Sequence, residues 1–278
     1  MTAKVCLVTG ASSGIGHATA LELLRGGHIV YGAARRVHLM AAIEEAGGHA
    51  LAMDVTEEED LRRAVRTVLD AHERIDVLVN NAGAVLHGAV EDTPLALARD
   101  EFEVNVFAPA RLAQLVLPHM RARGSGTIVN VSSIGGEIAL PLGAWYYASK
   151  HALEAFSDTL RMEAGAFGID VVVVQPGIIK TDFEAGTARQ LREISGNGAY
   201  RRLAEAMAHA AETHLGGDSP ASDPEVVAVT IREAVESARP ETRYVVGWQA
   251  EALLNLNRTL TDREFDAAVT RPADSTRR

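Results

Sequence analysis

The sequence holds a single cysteine, Cys6, so no disulfide can close within the chain and no cysteine zinc cluster can be assembled. Cys6 sits in the apolar run Lys4–Val8, where it reads as a small buried hydrophobe. Ten histidines are scattered without any His-x-x-x-His or similar ligand spacing, which argues against a metal site. Positive charge is in short supply: 27 Lys and Arg stand against 37 Asp and Glu, a formal net charge of −10. That balance speaks against a broad nucleic-acid or anionic-membrane surface, which needs clustered cations. The Arg62–Arg63 and Arg201–Arg202 pairs lie among acids and read as solvated helix faces. Long apolar runs are missing too, so no stretch is expected to span a bilayer. The first apolar run begins almost at the N-terminus and leaves no room for a signal peptide, so the expected address is the cytoplasm.

What is present is an ordinary globular balance, 47% hydrophobic and 23% charged over 278 residues. Short apolar runs alternate with longer amphipathic ones. The spacing predicts strands at Val5–Thr9, Ile29–Ala33, Ala50–Asp54, Val77–Asn80, Thr127–Val131, Val171–Gln175 and Arg243–Val246. Most are continuously apolar, as in parallel strands buried on both faces. Helical stretches lie between them, at Gly14–Gly26, Glu57–His72, Pro109–Arg123 and Trp145–Phe167. The expected fold class is therefore α/β: one doubly wound, Rossmann-type parallel sheet of about seven strands with helices on both faces. After Thr181 the pattern stays helical without a strand, up to the connector Gly216-Gly217-Asp218-Ser219-Pro220. Residues 183–222 are read as a helical substrate-lid insertion on one catalytic domain covering 1–278. Asp223-Pro224-Glu225 reads as the cap and first turn of a further helix. The tail from about Pro272 to 278 is polar and expected to be disordered.

Thr9-Gly10-Ala11-Ser12-Ser13-Gly14-Ile15-Gly16 follows a predicted strand and opens a predicted helix. Glycines there allow a tight turn, close approach to a pyrophosphate and close helix–strand packing, while the helix start presents N–H groups to phosphate. This marks a dinucleotide site. An NAD site usually carries an acid about 20 residues past the glycines. Here Ala33-Ala34-Arg35-Arg36 has none, and guanidinium groups welcome a 2′-phosphate. NADP(H) is favoured and NAD(H) stays open, since both arginines also suit the start of a solvated helix. Asp54, followed by Val55, is placed to bond the adenine edge or to cap the helix at Glu57.

Tyr146 and Lys150 are four apart on a predicted helix and share a face. A phenol with a pKa of about 10 is a poor acid or base at neutral pH, and a nearby ammonium lowers it toward useful range. Tyr147 is also within helical reach of Lys150, and either Ser132 or Ser133 could bond a substrate oxygen. Pro176-Gly177, with Thr181, ends the sixth strand at the sheet's carboxyl edge, where such folds bind ligands; it is expected against the nicotinamide amide, though Gly177 also suits a plain turn.

Thr-Gly-x-x-x-Gly-x-Gly at 9–16, Asn80-Asn81-Ala82-Gly83, Ser133, Tyr146-x-x-x-Lys150 and Pro176-Gly177 stand in the order of the short-chain dehydrogenase/reductase superfamily, which the chain resembles from Val5 to about Thr181. The resemblance selects Tyr146 as the proton donor and acceptor and, 13 positions earlier, Ser133, leaving Ser132 to bond backbone locally. It implies that Lys150 also bonds the nicotinamide ribose and that Asn81, Ala82 and Gly83 line the cofactor pocket. Asn105 looks like the family's fourth catalytic residue, interrupting a helix and holding a water that leads to the lysine; a satisfied structural asparagine is the alternative. The implied activity is hydride transfer between NAD(P) and a carbonyl or alcohol carbon. A non-catalytic dinucleotide sensor of the same fold is the competing reading.

Ile138, Leu140, Leu142, Trp145, Phe183 and Tyr200 are candidate pocket residues, and their apolar character favours a hydrophobic small-molecule ketone or alcohol. His87, just past Asn-Ala-Gly, is read as a solvated loop histidine, with a pocket-facing one as the alternative. The resemblance implies a homodimer or homotetramer joined through Pro109–Arg123 and Trp145–Phe167.

Overall fold

The computed structural model describes residues 2–215 and 219–274, without the side chains of 182–185, 214, 215 and 271–274. Seven strands, β1 (Val5–Thr9), β2 (Ile29–Ala34), β3 (His49–Ala52), β4 (Val77–Asn80), β5 (Gly126–Val131), β6 (Ile169–Pro176) and β7 (Arg243–Val246), form one sheet of order β3-β2-β1-β4-β5-β6-β7. Every neighbouring pair is parallel. The connections carry helices α1 (Gly14–Arg25), α2 (Ala41–Glu45), α3 (Glu58–His72), α4 (Leu95–Phe102), α5 (Ala108–Arg123), α6 (Ala144–Gly165), α7 (Asp182–Ser195), α8 (Arg201–Leu215) and α9 (Pro224–Glu236). After β7 follow α10 (Ala250–Thr259) and α11 (Asp262–Asp274). No helix among the described residues is long and apolar enough to cross a membrane.

The apolar strands are explained by burial on two faces. Val5, Leu7, Leu78 and Ile128 pack against Leu61 and Val65 of α3 and Leu112 and Val116 of α5. The alternate residues Cys6, Val8, Val77, Val79 and Val129 pack against Leu23 of α1 and Val227 and Ile231 of α9. Since side chains alternate along a strand, both parities must be apolar when both faces are covered. Cys6 is fully buried and unpaired, and burial pushes its thiol well above the usual range. It has the inert character of a core residue.

Two smaller apolar clusters stand apart from the sheet. One joins Ala89 and Leu142 to α7 and α8 through Ala188, Leu191, Ala204, Ala208 and Ala211. The other seats Ala250, Leu254 and Phe265 of α10 and α11 on Ile134 and Ile138. Inside the sheet, a polar chain ties α6 to the strands. Asn80 donates to Asn130 at 2.9 Å, Asn130 donates to Ser157 at 2.8 Å, and the Ser157 hydroxyl donates to the Leu153 carbonyl at 2.6 Å. Buried amides must be satisfied, so this chain fixes the position of α6 over β4 and β5.

The strands β2, β5 and β6 extend one or two residues past their expected bounds, and two further expectations need correction. The third strand ends at Ala52, and Asp54 lies beyond it in a turn. There Asp54 Oδ1 accepts from the Thr56 amide at 3.0 Å and hydroxyl at 2.8 Å, a local bond that competes with strand pairing. The tail expected from Pro272 is helical through Asp274, because α11 is anchored by buried Phe265; residues 275–278 lie outside the described ones. The same holds for 216–218 of the expected connector.

Candidate active site

The strand order reverses between β1 and β4, and ligands of open parallel sheets bind at such a point, outside the carboxyl ends of the strands. A cavity of about 910 Å³ opens there. Its floor is the Gly10–Ile15 turn, which crosses from β1 to α1. Gly10 and Gly14 have φ of 68° and 55°, the left-handed region that disfavours other residues. A Cβ on Gly10 would lie 2.9 Å from the Ala82 Cα, and one on Gly14 would lie 3.1 Å from the Thr181 side chain. The bare turn therefore leaves a backbone cradle, and α1 begins beside it with no side-chain cap from Ser13. Such a helix start keeps N–H groups free for phosphate, so these residues fit a dinucleotide. Gly16 does not line the cavity; a Cβ there would collide with Asn81 and the Gly10 carbonyl, so its role is close packing.

Asn81 braces this junction. Its amide donates to the Thr9 carbonyl at 2.9 Å, while the Asn81 and Ala82 N–H groups donate to the Thr9 hydroxyl at 3.0 and 2.9 Å. Asn81, Ala82 and Gly83 all line the cavity, as do Asp54, Val55, Pro176, Gly177 and Thr181. Arg35 and Arg36 stand on its rim. Arg36 donates to Ser13 at 3.1 Å and reaches Ser12 at 3.5 Å, whereas Arg35 is largely exposed and 3.8 Å from Asp54.

At the other end of the cavity, α6 presents Tyr146 and Lys150. The Lys150 ammonium lies 5.9 Å from the Tyr146 ring centroid and donates to the Val131 carbonyl at 3.1 Å. Burial lowers the Lys150 pKa to about 8, while the Glu101 and Glu154 charges act to raise it. Tyr147 is buried, its ring wedged against Gly135 and Gly143 and edge-on to Tyr146 at 5.5 Å. Both serines line the cavity, and the local backbone bond expected of Ser132 is made by Ser133. Ser133 accepts the local bond, from the Gly135 amide at 3.0 Å, whereas the buried Ser132 hydroxyl has no partner among the described residues. The chain turns at Ser133 into a short 3-10 turn, so its oxygen faces the new N–H groups.

Asn105 is buried in a π-helical turn, Glu103–Phe107, between α4 and α5. Its oxygen accepts from the Ala84 amide at 2.8 Å, and its nitrogen donates to the Ala84 carbonyl and the Ser149 hydroxyl, both at 2.9 Å. It does not line the cavity. It bolts the strand-end loop to α6 instead, in a helix irregularity of the kind found at functional sites.

Sequence reasoning missed two neighbours and favoured the wrong setting for a third. Glu101, one turn before Asn105, is buried, and burial raises its carboxyl to about 8. Glu154, one turn past Lys150, accepts from Gln175 at 3.0 Å and from Arg243 at 2.9 Å, clamping α6 to β6 and β7. His87 is no solvated loop residue. Its ring stacks on Tyr146 with centroids 6.1 Å apart and 28° between planes, and it lines the cavity. Four-residue spacing from Asn105 and Lys150 was the available signal for the two acids. His87 had only its place just past Asn-Ala-Gly as a signal, because its burial depends on α7.

Ile138 and Leu140 line the cavity, but Leu142, Trp145 and Tyr200 do not. Leu142 packs inward beneath α7, and Tyr200 is on the surface; the Phe183 side chain lies outside the described residues. The remaining wall comes from α7, α8, α10 and α11, and includes Leu191, Leu203, Met207, Leu253, Leu256 and Val269. No charged side chain lines that half among the described residues.

The Glu101 position gives a test of folding energetics. Its folded pKa lies above the unfolded one, so the native state binds the extra proton and stability falls as pH rises from about 4.5 toward 8. Glu101→Gln removes that loss. Urea unfolding is expected to show the variant more stable at pH 8, by up to about 4 kcal/mol, with little difference at pH 4.

The matching family model, short chain dehydrogenase, covers residues 4–192, and the chain belongs to the short-chain dehydrogenase/reductase family. A probable short-chain type dehydrogenase/reductase VdlC of Helicobacter pylori is 34% identical over 263 residues, 95% of each chain. A 3-ketodihydrosphingosine reductase of Bacteroides thetaiotaomicron is 39% identical over 197 residues, 70% of this chain and 71% of that one. The structure of a variant of actinorhodin polyketide ketoreductase with NADPH aligns at a TM-score of 0.73 and 30% identity, over 87% of this chain and 94% of that one. The chain is thus an NAD(P)-dependent oxidoreductase.

Proposed function

We propose that the enzyme uses NADP(H) in preference to NAD(H) and interconverts a hydrophobic ketone or aldehyde with its alcohol, Tyr146 serving as general acid and base. The observation that carries this reading is the shared cavity: the bare glycine turn and two arginines at one end, Tyr146 beside a buried Lys150 at the other, and an apolar wall beyond. When bound, the nicotinamide supplies or accepts the hydride. Gly10, Ser12, Ser13, Gly14 and Ile15 would hold the pyrophosphate, Arg36 with Arg35 the 2′-phosphate, and Asp54 and Val55 the adenine side. Asn81, Ala82, Gly83 and Lys150 would line the riboses, and Pro176, Gly177 and Thr181 the nicotinamide amide.

In the reductive direction Tyr146 gives its proton to the carbonyl oxygen, and in the oxidative direction it takes one from the alcohol. Lys150 favours the phenolate in both, and its own burial makes it a weaker base than a free lysine. Ser133 bonds the substrate oxygen as charge gathers there, and Asn105 keeps α6 in register with the cofactor loop. The ketoreductase with NADPH and the reductase named for a 3-ketone support a carbonyl substrate. Within this reading 183–222 forms the substrate lid of a single catalytic domain, and α5 and α6 join a homodimer or homotetramer.

Fluorescence titration with NADPH and NADH, followed by ketone-dependent NADPH oxidation with long-chain ketones, tests the proposal. Tighter NADPH binding and ketone turnover are expected. Equal binding of both nucleotides overturns the cofactor preference, and nucleotide binding without turnover of any ketone, aldehyde or alcohol overturns the chemistry.

A further inference from the structure

The substrate half of the cavity is mostly apolar; Gln249 and Thr270 line its far wall, and a polar pair stands beside Tyr146. His87, from the loop after β4, stacks on the Tyr146 ring at 6.1 Å, and its Nδ1 lies 3.5 Å from the Thr187 hydroxyl on α7. The backbone amide of His87 donates to Gln190 at 3.1 Å, so the same helix holds the loop from a second side. The Nε2 atom has no hydrogen-bond partner among the described residues. The half-buried ring is open to the cavity at this atom, so a ligand hydroxyl that replaces water there keeps a hydrogen bond that an apolar group would forfeit.

We propose that His87, braced by Thr187, is a polar subsite for a hydroxyl group that the substrate carries within one to three bonds of its reacting carbon, so that the preferred substrates are hydrophobic hydroxyketones and the corresponding diols. The inference rests on the carbonyl chemistry proposed for Tyr146. The reacting oxygen must meet the Tyr146 phenol, and each further bond moves a substituent by about 1.5 Å, so a hydroxyl near the reacting carbon reaches the neighbouring ring. A hydroxyl both donates and accepts, and therefore satisfies the ring in either tautomer. Burial lowers the His87 pKa to about 4, so the ring is neutral at working pH and offers no cation to a carboxylate or phosphate.

The test compares an unbranched 2-alkanone with its 1-hydroxy and 4-hydroxy analogues as substrates with NADPH. Wild type, His87→Leu, His87→Gln and Thr187→Val are assayed for kcat/KM, with NADPH binding checked in each. Wild type is expected to favour at least one hydroxyketone by about tenfold or more. His87→Leu is expected to erase that preference while retaining turnover of the plain ketone, and His87→Gln to keep part of it. Turnover without preference in wild type, or an equal fall on all substrates in His87→Leu, overturns the subsite alone. Absence of turnover on every ketone overturns the Tyr146 reading and the subsite with it.

Discussion

Tyr146→Phe is expected to lower kcat for ketone reduction by about 10²–10⁴-fold, the usual contribution of a positioned acid or base. NADPH affinity should change little, because the cradle of Gly10–Ile15 is at the other end of the cavity. The half-buried ring keeps its packing against His87 and Tyr147 when only the hydroxyl is removed. Tyr147→Phe is the internal control, since both tyrosines are within a helical turn of Lys150. The Tyr147 ring is wedged against Gly135 and Gly143, so its variant should retain activity close to wild type. Steady-state kinetics on the two variants decide the matter: a large loss in Tyr147→Phe with none in Tyr146→Phe would move the acid–base role by one residue.

The second large effect is expected at the arginine rim. Arg36→Ala should weaken NADPH by about 10–100-fold, the equivalent of one or two charge-assisted hydrogen bonds, and leave NADH almost unaltered. Arg35→Ala should do less, because that guanidinium is exposed and already faces Asp54 at 3.8 Å. Ionic strength supplies a second readout. Exposed guanidinium–phosphate attraction is screened by salt, so NADPH affinity should fall with added salt in wild type and much less in Arg36→Ala. Parallel fluorescence titrations would show both; identical NADPH binding by wild type and variant would remove Arg36 from the cofactor preference.

The sheet was legible in the sequence because burial on both faces leaves an unmistakable trace. Val5–Thr9, Val77–Asn80 and Arg243–Val246 were delimited to the residue, while β2, β5 and β6 run one or two residues further than expected. Strand β3 starts one residue early and ends short of Asp54, whose side chain captures the Thr56 amide. The glycine turn, Tyr146 and Lys150 were legible for a different reason: they are local patterns whose geometry follows from chain spacing. Long-range packing was not legible. Whether Trp145 or Leu140 faces the cavity depends on how the loop before α6 folds, and whether His87 meets water depends on α7, a hundred residues later. Ser132 and Ser133 show the same limit at the scale of one peptide, since entry into a 3-10 turn gives the local backbone bond to Ser133, whose hydroxyl hydrogen still remains to be donated.

The cluster that joins Leu142 to α7 and α8 has its own consequence. It shares no residue with the two cores that cover the sheet, so side chains of this wall can vary without disturbing the strands on which α6, with Tyr146 and Lys150, is seated. Leu203 and Met207 can be exchanged for larger or smaller residues as a module, in evolution or in a library, while the hydride machinery is inherited intact. Diversity of substrate and conservation of chemistry are thereby lodged in separate compartments of one polypeptide.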